Sequence, residues 1–382
     1  MKVLHIITGL AAGGAERQLL LTLRHLPLGY QSEVATLTNP GTVADALRAE
    51  GVPVHDLAMR GNRDLTVLPR LTRLIRRGQY DIVHTHLYRA GLYGRLAARL
   101  AGVRTVLATE HSLHAGTIEG RPVGVGVKSL YLAAERLGGS TVAVSGQVAA
   151  TLAAWGVPSQ RVHLVPNGIE AARYALPTAS RAALRQTVRA ALGVPAEAWV
   201  LGAVGRLVPG KRFSVLVEVL AALPAERDAR LLLVGDGPER TVLERQAARL
   251  GVADRLICTG ERDDVRDLMT AMDVLAAPSV EETFGLAVLE GLAAGLPVCH
   301  SACPALDELP ADAAPGAVKV PSDAASYLTA LSALGNRRST ALPQPPAVAH
   351  YDIARTAAEL AVLYQRLGRG AKTPVRIGPR ES

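Results

Sequence analysis

The stretch "VGRLVPGKRFSVLVEVL", residues 204–220, combines the end of a strand, a turn and the start of a helix. The apolar run that ends at Val204 predicts the strand, a Pro-Gly pair predicts the turn, and the following Val and Leu residues predict the helix. Lys211 and Arg212 stand where that helix begins, although cations at a helix N-terminus oppose the helix dipole. A bound anion such as a diphosphate resolves this conflict, held by Arg206, Lys211 and the helix amides.

Short apolar runs alternate with helical patterns along the rest of the chain, which is typical of parallel sheets built from βα units. In the first half, the predicted strands cover residues 3–8, 33–37, 82–84, 105–109, 141–144 and 162–165. In the second half, they cover residues 200–204, 230–234, 255–259, 274–276 and 297–299. Predicted helices include residues 16–25, 43–50, 91–101 and, at the end, 353–367. We therefore predict the α/β class.

A length of 382 residues favours two domains of ordinary size. Residues 171–197 are rich in Ala and Arg and contain two prolines, so we predict a linker there. The predicted domains are Rossmann-like, an N-terminal one over residues 1–175 and a C-terminal one over residues 190–345. A basic tail, residues 369–382, is predicted to be disordered. The sequence does not indicate an oligomeric state.

Basic residues are concentrated in the first half of the chain. Residues 1–185 hold 21 Lys and Arg against 11 Asp and Glu, a net charge of +10, whereas the remainder carries −2. Much of the excess lies in and around "LPRLTRLIRRGQ", residues 68–79, at Arg60, Arg63, Arg70, Arg73, Arg76 and Arg77. This pattern indicates either a face that contacts an anionic membrane or acidic acceptor, or an ordinary solvated helix face. Only 3% of the residues are aromatic and no nucleic-acid motif accompanies the charge, so no nucleic-acid partner is expected.

Cys258, Cys299 and Cys303 are too few for a disulfide framework and indicate a reducing compartment. Cys299, His300 and Cys303 could form half of a metal site, but a second ligand pair is missing, so we interpret them as buried packing residues. No stretch approaches the ~20 apolar residues that a membrane span needs. The apolar run at the start, residues 3–10, is short for a signal peptide and contains a histidine. We expect a cytoplasmic protein that visits the membrane surface.

Two glutamates stand out in "SVEETFGLAVLEGLAAGLPV", residues 279–298. Residues 285–294 predict a short helix that is buried on most sides, and Glu290 is its one charged residue. Burying a carboxylate in that position costs free energy unless a hydrogen-bond donor or a cation pairs with it. Glu282 precedes the helix on the loop that faces the same ligand. The pair indicates either general acid–base catalysis or recognition of sugar hydroxyls. A nearby diphosphate favours the recognition of hydroxyls.

Further candidate residues follow strands of the first half. Two glycines, ending at Gly14, open the first helix, where backbone amides approach a phosphate. Glu110 and His111 come directly after another strand, at the carboxyl edge where open α/β sheets bind ligands. His84 and His86 are placed similarly, and His84 is interpreted as a packing residue.

The loop "GRLVPGK", residues 205–211, also fits the phosphate loop of a P-loop nucleotidase. That motif continues with a Ser or Thr that binds magnesium, whereas this chain has Arg212. The P-loop interpretation therefore remains an alternative to a nucleotide-sugar site.

Taken together, these motifs resemble the retaining nucleotide-sugar glycosyltransferases of the GT-B fold, in particular glycosyltransferase family 4. The resemblance spans nearly the whole chain and rests on "GGAERQLL", "TEHS", "AVSGQVA", "VPNGIE", "GRLVPGK", "LLVGDGPER" and "VADRLICTGERDDV", in this order, and on the motif of two glutamates separated by seven residues, Glu282 to Glu290. It implies two facing Rossmann-like domains, with residues 350–368 packing back on the first. It also implies that the donor lies mostly on the second domain and the acceptor mostly on the first.

The resemblance further implies the roles of the site residues. The donor-binding set is Arg206, Lys211, Glu282, Phe284, Gly285, Leu286, Glu290 and Gly14, and the catalytic set is Glu282, His111, Arg206 and Lys211. In these sets the cations hold the diphosphate, Glu290 holds the ribose hydroxyls, and Glu282 contacts the donor sugar together with the backbone of the two residues before the helix. His111 is implied to lie near the transferred sugar. On this interpretation a nucleotide, not the protein, satisfies Glu290.

The implied reaction keeps the anomeric configuration and uses a nucleotide-diphosphate sugar donor and a glycan or lipid-linked acceptor. No acidic cluster marks a metal site, so we expect no cofactor and no metal. Arg206 and Lys211 would neutralise the charge on the diphosphate in place of magnesium. Arg212 departs from the family pattern, which has glycine there. The alternatives are a sugar-nucleotide epimerase or hydrolase, a P-loop nucleotidase, a dinucleotide-dependent oxidoreductase and a non-catalytic nucleotide-sugar binder.

Overall fold

The computed structural model describes residues 1–11, 13–61, 64–334 and 341–372. The strands are β1 (Lys2–Ile7), β2 (Gln31–Thr36), β3 (Val54–Asp56), β4 (Ile82–His86), β5 (Thr105–Glu110), β6 (Thr117–Ile118), β7 (Arg121–Pro122), β8 (Ser140–Ala143), β9 (Val162–Leu164), β10 (Trp199–Val204), β11 (Ala229–Val234), β12 (Leu256–Cys258), β13 (Val274–Ala277), β14 (Val298–His300) and β15 (Ala317–Lys319). The helices are α1 (Gly14–His25), α2 (Gly41–Ala49), α3 (Val67–Gly78), α4 (Tyr88–Ala101), α5 (Val125–Leu137), α6 (Gly146–Trp155), α7 (Ala171–Tyr174), α8 (Thr178–Ala191), α9 (Phe213–Ala222), α10 (Arg240–Arg249), α11 (Val265–Thr270), α12 (Leu286–Ala293), α13 (Pro304–Asp307), α14 (Ala324–Ala333), α15 (Pro346–His350) and α16 (Ile353–Lys372). Short 3-10 turns cover Ser159–Arg161, Pro209–Lys211, Ala225–Arg227, Ala253–Arg255 and Ala311–Ala313.

The chain divides into two compact units. Unit 1 consists of Met1–Pro166 and Ile353–Ser382, and unit 2 of Asn167–Asp352. The sheet of unit 1 has the order β3-β2-β1-β4-β5-β8-β9, and that of unit 2 the order β12-β11-β10-β13-β14-β15. All pairings in both sheets are parallel, whereas β6 and β7 form a separate antiparallel pair. This strand order is that of the doubly wound fold, so the predicted α/β class with two Rossmann-like domains is confirmed.

Each sheet is buried on both faces because its strands are apolar at successive positions. In β1, Leu4 and Val3 point to opposite faces and belong to different apolar cores. In β10, Leu201 and Val200 do the same. Such near-continuous apolar runs are typical of parallel strands covered by helices on both sides. The apolar pattern of the sequence therefore produces three layers in each unit.

The last helix, α16, packs on the sheet of unit 1. Its Leu360 and Tyr364 share an apolar core with Val3 of β1, and the hydroxyl of Tyr30 donates to the carbonyl oxygen of Ala361 at 2.9 Å. The helix continues to Lys372, beyond the predicted end. The predicted disorder of the tail over residues 369–382 stays a prediction, and residues 373–382 lie outside the described residues.

The predicted linker over residues 171–197 is wrong, because this stretch forms α7 and α8 as part of unit 2. The guanidinium groups of Arg185 and Arg189 contact Asp273, at 2.6 and 2.8 Å, and the side chain of Asp273 is fully buried. Arg189 also donates to the carbonyl oxygens of Ala196 and Ala198. Two arginines of the predicted linker, Arg185 and Arg189, are therefore residues that attach this helix to the core.

The sequence did not predict the short strands β3, β6, β7 and β15. β3 and β15 each have three residues, none of them buried, so they carry no apolar alternation that could predict them. The antiparallel pair β6 and β7 has two residues in each strand. The short helix α15 was also missed; it starts at a proline, a favoured first residue of a helix.

Four buried histidines lie on the sheet of unit 1. His5 is on β1, His84 and His86 are on β4, and His111 directly follows β5. Burial lowers the pKa of His5 to about 3 and that of His111 to about 4. It also lowers the pKa values of His84 and His86 well below the ordinary value. All four imidazoles are therefore neutral in the folded protein at neutral pH.

Replacing Asp273 with Ala should strongly destabilise unit 2, because it leaves Arg189 buried without its carboxylate. We expect a loss of about 3–5 kcal/mol in the free energy of unfolding. Urea denaturation followed by the fluorescence of Trp199, in a Trp155→Phe background, measures this. The matched control is Asp307→Ala, which breaks the exposed pair with Lys319 and should cost less than about 1 kcal/mol. Equal losses in the two variants would contradict this account.

Unit 1 should lose stability as the pH falls from about 6.5 toward 4. Unfolded histidines take up protons below pH 6.5 while the buried ones stay neutral, so the unfolded state binds more protons. Each such histidine contributes a slope of about 1.4 kcal/mol per pH unit. Urea denaturation at pH 7.5 and 5.5, followed by Trp155 in a Trp199→Phe background, measures the slope. His5→Leu should reduce this slope. An unchanged slope in that variant would show that the buried His5 is not one of its causes.

Candidate functional site

In a doubly wound sheet, ligands bind beyond the carboxyl ends of the strands, where the strand order reverses. In unit 2 this point lies between β10 and β13, and the loops that follow these two strands cover residues 205–212 and 278–285. In unit 1 it lies between β1 and β4. The predicted site residues Arg206, Lys211 and Glu282 all lie on the two loops of unit 2.

Glycines bring the loops after β10 and β11 into close contact. Gly235 has φ +137°, and a Cβ placed on it would overlap the carbonyl oxygen of Gly205. A Cβ on Gly237 would likewise overlap the carbonyl oxygen of Leu207, and the amide of Leu207 donates to the carbonyl oxygen of Asp236 at 2.9 Å. The motif "LLVGDGPER" therefore fixes the shape of the "GRLVPGK" loop, a function of these glycines that the sequence did not reveal.

The two cations at the end of the "GRLVPGK" loop, Lys211 and Arg212, have different backbone environments. Lys211 ends the 3-10 turn Pro209–Lys211, and α9 begins only at Phe213. Arg212 is the residue between them and has the left-handed backbone conformation, with φ +50° and ψ +36°. Glycine adopts that conformation without cost, which is a physical reason for a glycine at this position. Arg212 keeps the turn at the cost of local backbone strain.

The loop after β13 lies against this turn. The amide of Val280 donates to the carbonyl oxygen of Gly210 at 3.2 Å, and the ammonium of Lys211 forms a short ion pair with the carboxylate of Glu282. Both side chains are partly accessible, with 26% of Lys211 and 17% of Glu282 exposed. The sequence assigned Lys211 to a diphosphate and Glu282 to a sugar. The structure brings these two groups together as one pair.

The helix α12 begins beside this pair. Its first residue is Leu286, and Gly285 before it has φ +103°, where a Cβ would overlap the sulfur of Cys303. The Phe284 ring is buried and packs edge-on against Tyr351, with 5.0 Å between ring centroids. The Phe284 side chain is therefore used for packing and a side chain at position 285 would not fit, while the contact of their backbone with a donor sugar stays a prediction.

Glu290 lies on the open side of α12. Leu286, Ala287 and Glu290 are partly exposed and follow one another at helical spacing, whereas Val288 and Leu289 are buried. The prediction that Glu290 is buried, and that the protein leaves it unsatisfied, is wrong: its carboxylate is half-buried and is not without a partner in the chain. Because helical side chains lean toward the N-terminus, Glu290 still faces the space in front of the first turn.

Arg206 completes the set in unit 2. Its side chain is exposed, and within the part of the chain that the structure describes it has no ion pair. Arg206, the Lys211–Glu282 pair, Glu290 and the first amides of α12 thus share the carboxyl edge of one sheet. Two cations and a helix N-terminus suit an anionic group, and two carboxylates suit hydroxyls.

Unit 1 contains the two remaining predicted residues. Gly14 is the first residue of α1, directly after the loop that follows β1, and it is exposed. His111 is buried, with 8% of its surface exposed. Its neighbour Glu110 accepts a hydrogen bond from the hydroxyl of Tyr131 at 3.0 Å, and burial raises the pKa of Glu110. Glu110 therefore belongs to a buried polar cluster of this unit.

The histidines of unit 1 form a chain of hydrogen bonds. Nδ1 of His5 lies 3.1 Å from Nε2 of His86, and Nδ1 of His86 lies 3.1 Å from Nε2 of His111. The rings of each pair are stacked, with interplanar angles of 22° and 25°. His84 stands apart and bonds Thr109 and Tyr364 instead. In the sequence, His86 is marked only by its position near the end of a predicted strand; its spacing of two residues from His84 along β4 puts both side chains on one face of the sheet.

Nitrogens of His5, His84 and His86 lie within 4.8 Å of one another, which is the geometry of a potential metal site. However, both nitrogens of His84 and both of His86 have hydrogen-bond partners, and so does Nδ1 of His5. The set is therefore satisfied as a hydrogen-bonded network. Cys299, His300 and Cys303 are buried, as predicted, and do not form a metal cluster with other described residues.

The basic helix of unit 1 is α3. Its Leu71 and Ile75 are buried, and Arg73, Arg76 and Arg77 are exposed. Arg63 lies outside the described residues. Among the helices that the structure describes, none is both long and apolar enough to cross a membrane.

Comparisons with known proteins agree with this architecture. The model of glycosyltransferase family 4 matches residues 12–173, and that of the glycosyl transferases group 1 matches residues 198–336. The chain is 29% identical over 258 residues to the UDP-Gal:alpha-D-GlcNAc-diphosphoundecaprenol alpha-1,3-galactosyltransferase of Escherichia coli, covering 66% of each chain. It is 31% identical over 278 residues to the D-inositol 3-phosphate glycosyltransferase of Salinispora tropica, covering 67% of this chain and 57% of that one. In both cases the chain spans less than two thirds of its relative's length.

A solved structure, Anabaena Alr3699/HepE in complex with UDP-glucose, has a TM-score of 0.80 to this chain at 21% identity. The match covers 96% of this chain and 100% of that one, so the predicted GT-B fold is confirmed. The two family models together account for most of both units. The chain belongs to glycosyltransferase family 4.

Proposed function

We propose that the protein is a retaining glycosyltransferase that moves a sugar from a nucleotide-diphosphate sugar to a hydroxyl of a glycan or lipid-linked acceptor. The observation that carries this proposal is the Lys211–Glu282 ion pair beside the start of α12. One cation and one carboxylate, both partly accessible at the carboxyl edge of a parallel sheet, match the two halves of a sugar diphosphate: the diphosphate for the ammonium and the sugar hydroxyls for the carboxylate.

Each part of the donor, the diphosphate, the ribose and the sugar, would contact different residues of this site. Arg206, Lys211 and the first amides of α12 would hold the diphosphate, and Glu290 would accept hydrogen bonds from the ribose hydroxyls. Glu282 would leave Lys211 and accept from the sugar, together with the backbone of Phe284 and Gly285. We propose that the two cations balance the charge of the diphosphate without a divalent metal ion.

Retention of configuration requires that the acceptor oxygen bonds to the anomeric carbon on the face that the diphosphate leaves. The bond from that carbon to the phosphate oxygen breaks as the new glycosidic bond forms. The proton of the acceptor hydroxyl passes to an oxygen of the departing diphosphate, so no enzyme nucleophile is consumed. Arg206 and Lys211 would stabilise the negative charge that develops on the leaving group.

The names of the relatives support this substrate class. The Escherichia coli relative is named for a UDP-sugar donor and a diphosphoundecaprenol acceptor, and the Anabaena structure contains UDP-glucose. The net charge of +10 over residues 1–185 suits an acceptor that carries phosphate, and the exposed arginines of α3 suit an anionic membrane surface. We therefore place the reaction at the cytoplasmic face of the membrane as part of the proposal.

The P-loop alternative is disfavoured by the geometry of the loop. A P-loop lysine is followed by a Ser or Thr in the first turn of a helix, whereas Lys211 is followed by Arg212 in the left-handed conformation, outside α9. A sugar-nucleotide epimerase or hydrolase and a non-catalytic binder remain the alternatives that share the donor site. They differ from the proposal in needing no acceptor.

The melting temperature of the protein should be measured with a panel of UDP-, GDP- and ADP-sugars, without added metal. One nucleotide sugar of the panel should raise it. ATP with magnesium and NADH serve as controls and should have no effect. The physical reason is that a ligand that binds only the native state stabilises it by RT ln(1 + [L]/Kd), where [L] is the concentration of free ligand. A response to ATP with magnesium or to NADH alone would refute the donor site described above.

Replacing Glu290 with Ala should raise KM for the donor by about 10- to 100-fold, because two charge-assisted hydrogen bonds to the ribose are lost. The circular dichroism spectrum should not change, since Glu290 lies on the open side of α12. Glu281→Ala, which removes an exposed carboxylate beside Glu282, is the matched control and should keep KM near that of the parent enzyme. Donor kinetics near the parent values in Glu290→Ala would remove this residue from the site.

A further inference from the structure

The ammonium of Lys211 is bound by a carboxylate of the protein itself. Lys211 and Glu282 form a short ion pair, and with 26% and 17% of their side chains exposed, both can be reached from solvent. Arg206, the second cation of this sheet edge, is exposed and has no ion pair within the part of the chain that the structure describes. A phosphate that reaches this edge can therefore bind Arg206 directly, but it has to compete with Glu282 for Lys211.

Backbone hydrogen bonds hold the loop of Glu282 on both sides of this residue. Before it, the amide of Val280 donates to the carbonyl oxygen of Gly210 at 3.2 Å. After it, the amide of Ala305 donates to the carbonyl oxygen of Phe284 at 3.0 Å, and the Phe284 ring is buried. The carboxylate of Glu282 can therefore leave the ammonium by rotation of its own side chain, without a change in the backbone of the loop.

The other member of the pair, Lys211, is held at the carboxyl end of β10. Its amide donates to the carbonyl oxygen of Val208 at 3.0 Å. Its Cε lies 3.6 Å from the point where a Cβ on Gly205 would stand, so its stem runs back toward the end of the strand. When the carboxylate leaves, the ammonium therefore stays at the sheet edge, where a phosphate can bind it.

A nucleotide-diphosphate sugar satisfies both members of the pair, whereas a free diphosphate satisfies only one. The phosphates of the sugar nucleotide replace Glu282 at Lys211, and the sugar hydroxyls donate to the released carboxylate. A nucleoside diphosphate or inorganic pyrophosphate brings no sugar hydroxyls, so the carboxylate is left unpaired beside the phosphates. Like charges at this distance repel, and a free terminal phosphate carries a further negative charge near neutral pH because its second pKa is about 6.

We propose that the Lys211–Glu282 pair makes the site prefer an intact nucleotide sugar to a free diphosphate. Glu282 competes with every anion for Lys211, and only a ligand with a hydroxylated sugar beside its diphosphate compensates the carboxylate that it displaces. This inference rests on the proposed function, because it takes the donor sugar as the partner of Glu282. The same competition helps the nucleoside diphosphate to leave after transfer, since Glu282 returns to Lys211 once the sugar has gone.

Isothermal titration calorimetry with inorganic pyrophosphate, at pH 7.5 and without added metal, tests the competition without any transfer reaction. Glu282→Gln keeps the shape of the side chain and removes its charge. Pyrophosphate should bind this variant about 10- to 100-fold more tightly than the parent protein, the range for one charge-assisted hydrogen bond. The matched control is Glu281→Gln, which removes the same charge from the exposed neighbouring residue and should change the Kd by less than about threefold. An unchanged or higher Kd in Glu282→Gln would overturn the proposal.

A second background shows whether the effect passes through Lys211. In Lys211→Met the carboxylate has no ammonium to compete for, so this variant and its combination with Glu282→Gln should both bind pyrophosphate weakly, with Kd values within about threefold of each other. If Glu282→Gln tightens binding as much in this background as in the parent protein, Glu282 acts only as a nearby negative charge, and the proposed role of the pair is wrong.

The outcomes separate this proposal from the proposed function. If Glu282→Gln tightens pyrophosphate binding but the parent protein binds no nucleotide sugar, the competition for Lys211 stands, and the sugar as partner of Glu282 fails together with the proposed function. If the parent protein transfers a sugar, the affinities for its nucleotide sugar and for the matching nucleoside diphosphate are compared. The preference for the nucleotide sugar should fall at least about tenfold in Glu282→Gln. An unchanged preference would leave the function standing and overturn this proposal.

Discussion

The constraint on which both units depend is that their main sheets are parallel throughout. A parallel strand cannot be followed by a tight hairpin, so the chain must return to the starting edge through a helix after nearly every strand. All loops that follow strands therefore meet at one edge, and all loops that precede them meet at the other. This is why Lys211 and Glu282, 71 positions apart in sequence, form an ion pair, and why His5, His86 and His111 lie in one row across three strand positions.

Local conflicts in the chain coincide with the candidate site of unit 2. Arg212 adopts a backbone conformation that favours glycine, Lys211 and Arg212 precede a helix whose dipole disfavours cations, and Gly285 turns the chain where a Cβ would meet Cys303. Natural sequences tolerate such conflicts where function requires them. The neutral histidines of unit 1 are a similar case: burial keeps them uncharged, at a cost in stability that increases as the pH falls below their ordinary pKa.

Sequence patterns predicted the central strands and α12 closely, because their apolar runs are long enough to stand out from the polar segments that flank them. Residues 200–204 were predicted for the strand Trp199–Val204, and residues 285–294 for the helix Leu286–Ala293. The linker prediction failed because the buried positions of α8 include Arg181 and Arg189, and their partners, Ala294 and Asp273, are distant in sequence. The burial of Glu290 was misjudged because an apolar composition does not show which side of a short helix a neighbouring layer leaves open. Pairings across the sheet, such as Lys211 with Glu282, have no periodic signal at all.

The four edge strands of the two sheets share one property. β3 and β9 in unit 1 and β12 and β15 in unit 2 each have three residues, and none of these residues is buried. An edge strand exposes unpaired backbone groups, and a long apolar one recruits strands from other molecules. Edges this short, carrying His55, Asp56, His163 and Lys319, offer too few hydrogen bonds to extend either sheet between copies. A protein with 49% hydrophobic residues thus keeps its extensive parallel sheets from serving as templates for aggregation.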